Sequence, residues 1–257
     1  MNTAVEQRRA EMVELLQKRG SVRVAELSRM YGISEVTVRS DLEYLESQGQ
    51  LTRVHGGAVG TGKLYANMDL SERYMTNAPS KRALASSAAE LIENNDTIMI
   101  NAGTTLAYVL HCIRGKKNIS IVTNSIQNAL EVASLPGVNV ILLGGEIDGK
   151  YQFTYGSDTV AQLSEYHANK CILSVDGIDK EDGLTLYYSN EAGIVRGMIK
   201  ASDEVIVVAD ATKLGRSAFS RVAKLSDVDI LVTGKKEGSA EIAALKKLGA
   251  EVIEVEI

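Results

Sequence analysis

The chain has 257 residues, 45% hydrophobic and 24% charged, with only two prolines. That supplies packed cores for two domains and argues against long disorder; no run of 18 apolar residues occurs, and the opening MNTAVEQRRAEM is too polar for a secretory leader. Net charge is −5, with nine Lys/Arg against eight Asp/Glu in residues 1–63 and 19 against 25 in the rest, so any nucleic-acid contact must rest on a few placed cations rather than on bulk charge.

A helix is expected over about 5–18, with Met12, Leu15 and Leu16 as its apolar stripe and Gly20 as its end. Ser21–Val24 alternates like a short strand. A second helix over about 24–31 would bury Val24, Leu27 and Met30, and Gly32 stops it. Ser34 is placed to cap a third helix over about 34–48, whose Val38, Leu42 and Leu45 share one face, and Gly49 closes it. Leu51–Val54 reads as a strand and Gly56-Gly57 as a turn into Ala58-Val59. Residues 60–80 lack sustained periodicity and are read as a linker between a domain of residues 1–59 and one of 81–257.

From residue 81 onward, helical stretches near 81–93, 105–114, 125–134, 157–165, 189–201 and 238–248 alternate with β-rich runs at 98–101, 119–124, 138–143, 170–177, 205–210, 229–233 and 251–257. Such alternation predicts an α/β domain with an open, mostly parallel sheet covered on both faces. Cys112 and Cys171 lie far apart in apolar segments and are expected to be buried thiols of a reducing compartment. His55, His111 and His167 have no metal-ligand spacing. A cytoplasmic protein with no metal or cofactor is the expectation.

Two short helices joined by Gly32-Ile33-Ser34 fit a helix-turn-helix over about 20–39 followed by a wing. With Val38, Leu42 and Leu45 turned to the core, Ser34, Glu35, Thr37, Arg39 and Ser40 lie on the other face near the helix N-terminus, where hydroxyls, N–H groups and the guanidinium can meet phosphates or base edges. The wing adds Arg53 and His55, with Gly56 and Gly57 allowing close approach to a sugar-phosphate backbone. A small helical interaction domain with a solvated polar face has the same spacing. The string RVAELSRMYGISEVTVRSDLEYLESQGQLTRVHGGAV resembles the N-terminal domain of the DeoR family of bacterial regulators, above all in Ser-x-x-Thr-x-Arg-x-Asp-Leu and His-Gly-Gly-Ala. The resemblance implies double-stranded operator DNA as partner. Ser40 stands where the family usually has a second arginine, which leaves the operator sequence open and implies a weaker phosphate contribution.

In the α/β part, polar loops follow the strands, where open sheets bind ligands. Asn101-Ala102-Gly103-Thr104-Thr105 could hold an anion with hydroxyls and helix N–H groups, or could be a turn and cap. Thr123-Asn124-Ser125 could do likewise or could be an N-cap; Gly144-Gly145-Glu146 could be a turn. Asp176-Gly177-Ile178-Asp179 offers carboxylates for hydroxyls or for a turn. Lys213, in Asp210-Ala211-Thr212-Lys213, could pair with an anion or sit on the surface. Together the groups suit a phosphorylated sugar or polyol.

The order of these pieces also resembles the sensor domain of the DeoR family through about residue 235, a domain similar in fold to ribose-5-phosphate isomerase. The resemblance implies effector contacts from Gly103, Thr104, Thr105, Thr123, Asn124, Asp176, Gly177, Asp179 and Lys213, with Ser125 in the same loop as Asn124. Glu191 lies where the family often has an acidic residue. Asn101 departs from an aspartate common in the family. The rival reading is a sugar-phosphate isomerase with an appended DNA-binding domain. Such an enzyme needs a carboxylate base, expected by the resemblance near Gly197, where the string is Ile194-Val195-Arg196-Gly197-Met198. The expectation is therefore a repressor of a sugar or polyol operon with no catalytic residues, working as a dimer or tetramer away from membranes, since one winged helix reads few base pairs. A DNA-binding scaffold that senses no ligand is the third alternative.

Overall fold

The computed structural model describes residues 3–19, 21–48, 50–54, 56–60 and 68–257, which fall into two compact units, 1–78 and 79–257. The first is built from α1 (Thr3–Arg19), β1 (Ser21–Arg23), α2 (Val24–Tyr31), α3 (Glu35–Ser47), β2 (Leu51–Val54), β3 (Gly57–Gly60) and α4 (Leu70–Met75). Residues three and four apart share a helix face, so Met12 and Leu16 of α1 and Val38, Leu42 and Leu45 of α3 meet Leu27 and Leu51 in one buried core. Gly32 ends α2, its N–H returning to the Ser28 carbonyl, and the Ser34 side chain accepts from the Thr37 N–H at 3.1 Å to start α3. The strands form an antiparallel sheet in the order β1-β3-β2, with Val54 opposite Gly57.

Two expectations need correction here. Met30 is 49% exposed; Tyr31, one turn beyond Leu27, packs on the core in its place. Residues 70–75 and 78–80 are helical rather than linker. A reciprocal capping box starts α4: the Asp69 carboxylate accepts from the Glu72 N–H at 2.8 Å and Glu72 accepts from the Asp69 N–H at 2.9 Å. Gly20, Gly49 and 61–67 of the expected linker lie outside the described residues.

The second unit continues through α5 (Ala78–Glu90), β4 (Thr97–Ile100), α6 (Thr104–Cys112), β5 (Ile119–Thr123), α7 (Ile126–Val132), β6 (Val138–Leu142), β7 (Glu146–Asp148), β8 (Phe153–Tyr155), α8 (Ser157–Leu163), β9 (Ala168–Leu173), β10 (Gly177–Asp179), β11 (Gly183–Leu186), α9 (Ser189–Lys200), β12 (Ser202–Ala209), β13 (Ser220–Ala223), β14 (Ile230–Gly234), α10 (Ala240–Leu248) and β15 (Glu251–Val255). Seven strands make a parallel sheet in the order β15-β14-β12-β9-β4-β5-β6. Alternate side chains leave opposite faces: Ile98, Ile100, Ile121 and Val208 pack under Leu84, Val109 and Val132 of α5–α7, while Met99, Leu173 and Val207 pack under Leu163, Val195 and Leu245 of α8–α10.

The mostly parallel sheet matches the sequence expectation. The β7–β8 hairpin and the small antiparallel sheet β10-β11-β13 do not follow from it. Strand β9 stops at Leu173, so Ser174–Asp176 form a loop rather than the strand end expected through Gly177. Cys171 is buried, and burial pushes its thiol pKa up. Cys112 is exposed at the end of α6, because Leu106, Val109, Leu110 and Ile113 take the core-facing positions.

Candidate functional site

On the first unit, the N-terminal half of α3 presents Ser34, Glu35, Thr37, Arg39 and Ser40, all exposed. Asp41 explains the acidic position in the middle of this helix. It is 2% exposed and accepts from Arg8 Nε at 2.8 Å and Arg9 Nε at 2.7 Å, so α1 clamps the reading helix through a buried carboxylate.

The two candidate cations are paired within the unit. Arg39 Nη2 lies 2.6 Å from the Glu35 carboxylate one turn earlier. The N–H and Nε of Arg53 both donate to Glu46, each at 2.7 Å, with Glu43 at 3.5 Å from Arg53 Nη2. The Arg53 backbone N–H, then its side chain, hold the Glu46 carboxyl below its ordinary range. Arg39, Glu46, Arg53, Gly56 and Gly57 line a shallow cleft between α3 and the wing.

Gly56 is exposed, whereas Gly57 is buried. A Cβ at Gly57 would lie 2.1 Å from the Val22 carbonyl oxygen, so this glycine serves the contact of β3 with β1 rather than approach to a sugar-phosphate backbone. His55 lies outside the described residues. Val36, 72% exposed beside Thr37, lies outside the polar set that the sequence points to; an apolar side chain there can meet a thymine methyl.

On the second unit, the C-terminal ends of neighbouring strands β12, β9, β4 and β5 gather most of the candidate residues. Asn101, wholly buried at the end of β4, uses its whole amide: Oδ1 accepts from the Ser174 N–H at 2.9 Å, and Nδ2 donates to Glu191 Oε1 at 3.0 Å and the Ser174 carbonyl at 3.2 Å. Asn128 Nδ2 donates to the Asn101 carbonyl at 3.0 Å. Gly103, Thr104 and Thr105 open α6, whose first N–H groups have no intrahelical acceptor.

Thr123 Oγ1 accepts from the Ser125 N–H, and the Ser125 side chain caps α7 at Asn128. The Asn124 amide donates to the Thr154 carbonyl at 3.2 Å, and its buried Oδ1 has no hydrogen-bond partner among the described residues. Asp176 accepts from the Tyr187 N–H at 2.9 Å and lies 4.0 Å from the Lys213 ammonium, both groups being buried. Gly177 admits no side chain: a Cβ would stand 2.4 Å from the Arg216 carbonyl oxygen and 2.6 Å from Thr185 Oγ1.

Two results amend the sequence-derived set. Asp179 has a turn role that the sequence left open: its Oδ1 accepts from the Glu181 and Asp182 N–H groups and shapes the β10–β11 turn. Lys81 of α5 joins the cluster: it is 2% exposed, with its ammonium 2.9 Å from Thr104 Oγ1. In the Ala- and Ser-rich stretch PSKRALASSAA a lysine reads as a surface residue; only the docking of α5 buries it. Two ammonium groups, two carboxylates, hydroxyls and a helix N-terminus can together bind an anion that also carries hydroxyls.

A family model described as the DeoR-like helix-turn-helix domain matches residues 8–62, and one described as the DeoR C terminal sensor domain matches residues 76–235. The chain belongs to the DeoR family. It is a DNA-binding transcription regulator with a C-terminal sensor domain. Relatives of this DeoR-family chain include a regulator of Bacillus subtilis strain 168 named YulB, 34% identical over 98% of this chain and 97% of the relative. A protein of Escherichia coli O157:H7 named as a putative aga operon transcriptional repressor is 31% identical over 98% and 94%. The glycerol-3-phosphate regulon repressor of Escherichia coli K12 is 31% identical over 88% and 90%. Among solved structures, ribose 5 phosphate isomerase A from Neisseria gonorrhoeae aligns over 52% of each chain with 20% identity and a TM-score of 0.37. No helix among the described residues is long and apolar enough to cross a membrane.

Proposed function

We propose that this regulator is a repressor of a sugar or polyol utilisation operon, released by a phosphorylated sugar or polyol bound at the strand ends of the sensor unit. The observation that carries the reading is the pairing there of two buried lysines with polar partners: Lys81 with Thr104, and Lys213 with Asp176. A buried ammonium is stable only where it is paired, and a dianionic phosphate is a stronger partner than a hydroxyl. Asn101, Asn124 and Glu191 would read the hydroxyls. Relatives named as repressors of an aga operon and of a glycerol-3-phosphate regulon support both the sign and the ligand class.

The cluster is closed: Asn101, Thr104, Asp176, Glu191 and Lys213 are each at most 8% exposed. Ligand entry must part these loops, and that movement is the conformational signal. A coupling of about 1–3 kcal/mol would change operator affinity roughly 5- to 150-fold. On the DNA side, Ser34, Thr37, Arg39 and Ser40 face the groove, with Val36 beside them and Arg53 and Gly56 at the wing; Glu35 holds Arg39, and His55 stays a contact expected from the sequence alone. Two such units in a homo-oligomer read the operator, in the cytoplasm.

The isomerase reading is disfavoured by Gly197. A side chain there would start 2.6 Å from Leu163 Cδ2, in the contact of α9 with α8, and the buried carboxylate of that helix, Glu191, is held by an amide. The test is calorimetric titration with a panel of sugar and polyol phosphates, followed by gel shift on the DNA next to the protein's own gene. Lys213→Ala should abolish the effect of the active phosphate on operator binding and leave operator binding itself intact. An unchanged response removes Lys213 from the site, and turnover of a sugar phosphate above background restores the enzyme reading.

A further inference from the structure

The seven-stranded sheet has two unlike edges. One edge, β15, carries Glu251 and Glu254, and Lys246 of α10 pairs with Glu254 at 2.9 Å. Charges on an edge discourage another strand from docking. The other edge, β6, reads Val138-Asn139-Val140-Ile141-Leu142, without charge or proline, and no strand among the described residues pairs with its outer side.

The register fixes which groups point outward. The Ile119 N–H donates to the Gly137 carbonyl and the Leu143 N–H to the Thr123 carbonyl, with Ile119 opposite Val138 and Thr123 opposite Leu142. Alternate residues of a parallel strand bond to one neighbour, so Asn139 and Ile141 turn their backbone groups to β5, while Val138, Val140 and Leu142 turn theirs outward. Their side chains also share one face. Leu142 is 42% exposed there, and Leu130 of α7 is 67% exposed. With Asn128, Ala129 and Val132 buried and Glu131 turned to His111 of α6 at 3.4 Å, the 100° step of the helix puts Leu130 on the flank away from α6.

We propose that β6 pairs antiparallel with β6 of a second copy of this chain, about a twofold axis at Val140, so that the sheets of two sensor units become continuous. In this register Val140 faces Val140 of the second copy and Val138 faces its Leu142. All three outward residues therefore fall in hydrogen-bonded pairs, each exchanging both N–H···O bonds. Charge favours the same direction. Lys116 and Lys117 lie beside Gly137 at the entry to β6, and Glu146 and Asp148 follow its exit. An antiparallel twofold sets the basic end of one copy against the acidic end of the other, whereas a parallel arrangement sets like against like.

The proposal rests on the homo-oligomer of the proposed function and names its interface. The full chain with Cys112→Ser is used so that its exposed thiol does not react. Val140→Cys in that background should cross-link to itself with a short thiol-reactive linker, while Glu251→Cys on the other edge should not. Leu142→Lys should weaken self-association about tenfold or more in sedimentation velocity, with the thermal melt and sugar-phosphate titration unchanged. A chain that is monomeric with and without operator DNA overturns the oligomer and this interface together. An oligomer that gives no Val140→Cys cross-link, or that ignores Leu142→Lys, overturns this interface alone.

Discussion

The two units place their cations in opposite settings. In the reading head Arg39 and Arg53 are exposed and held by carboxylates of their own domain; in the sensor Lys81 and Lys213 are buried and bonded within the strand-end cluster. Exposed pairs are screened by salt and exchange partners readily, so a DNA phosphate can replace a glutamate at little cost. A buried ammonium responds only to a partner that reaches it in the right geometry, and the low local dielectric strengthens that response. One setting suits tracking of a long polyanion, and the other suits selection of one small anion.

The comparison breaks most severely at the ion cluster that the buried Asp41 forms with Arg8 and Arg9 in the reading head. Asp41→Ala would leave Arg8 and Arg9 without their carboxylate between α1 and α3. Losing one side of a buried charge cluster costs about 3 kcal/mol or more, so the first unit should melt early and operator binding should fail, while sugar-phosphate binding by the sensor persists. Separate thermal transitions, followed by circular dichroism with and without ligand, check this. A full-strength gel shift would show that the clamp is dispensable.

Next in size is Lys81→Met, which keeps the length of the side chain and removes its charge. A charge-assisted hydrogen bond to a buried phosphate contributes about 1.5–3 kcal/mol, so the dissociation constant of the active phosphate should rise roughly 10- to 150-fold. Operator affinity without ligand should stay the same. Calorimetry and gel shift on one preparation separate the two, and unchanged ligand affinity would leave Lys81 as a purely structural partner of Thr104.

These two residues mark where sequence reading succeeds and where it stops. The helices and glycine turn of the reading head were legible because apolar spacing and capping are local properties, and so were the strand-end loops Asn101–Thr105 and Thr123–Ser125. The role of Asp41 was not, because its partners lie 32 and 33 residues away on α1. Lys81 was hidden for a related reason: its burial depends on where α5 docks. Asp179 stayed open because a carboxylate beside a glycine suits a ligand and a turn equally, and only its bonds to Glu181 and Asp182 show the turn role. Met30 and Cys112 misled because short helices have too few turns for spacing to fix the buried face.

Acid should sharpen the contrast at the opposite end of the sheet. Asp96 is buried there, bonded to the Lys170 ammonium at 2.8 Å, the Asn169 amide at 2.6 Å and the Glu93 N–H at 2.7 Å. Burial alone would raise its pKa, but Lys170 and the two N–H donors outweigh this and hold it below the ordinary value of 3.8. A carboxyl depressed by folding stabilises the native state above its unfolded pKa, and that stability is lost as pH falls through the lower, folded value. The sensor should therefore lose stability progressively below about pH 4. Asp96→Asn should flatten that part of the pH–stability curve and cost about 1–2 kcal/mol at neutral pH. Denaturant melts at several pH values test it, and an unchanged acid limb would assign the loss to other carboxylates.

The smallest effect is the most direct probe of exchangeable cations. In Glu46→Gln the acceptor of the Arg53 N–H remains, so the wing keeps its strut, but the carboxylate that competes with phosphate for the guanidinium is gone. If Arg53 meets DNA by exchanging partners, affinity for DNA of any sequence should rise about two- to threefold at low salt. The gain should shrink as salt is raised, because both the lost repulsion and the freed cation are screened. If Glu46 instead serves chiefly to aim the wing, affinity should fall, and fall most for the operator, because a misplaced wing loses register before it loses charge. Fluorescence anisotropy on operator and unrelated duplexes at two salt concentrations distinguishes the two, since exchange and aiming predict opposite signs on the same titration.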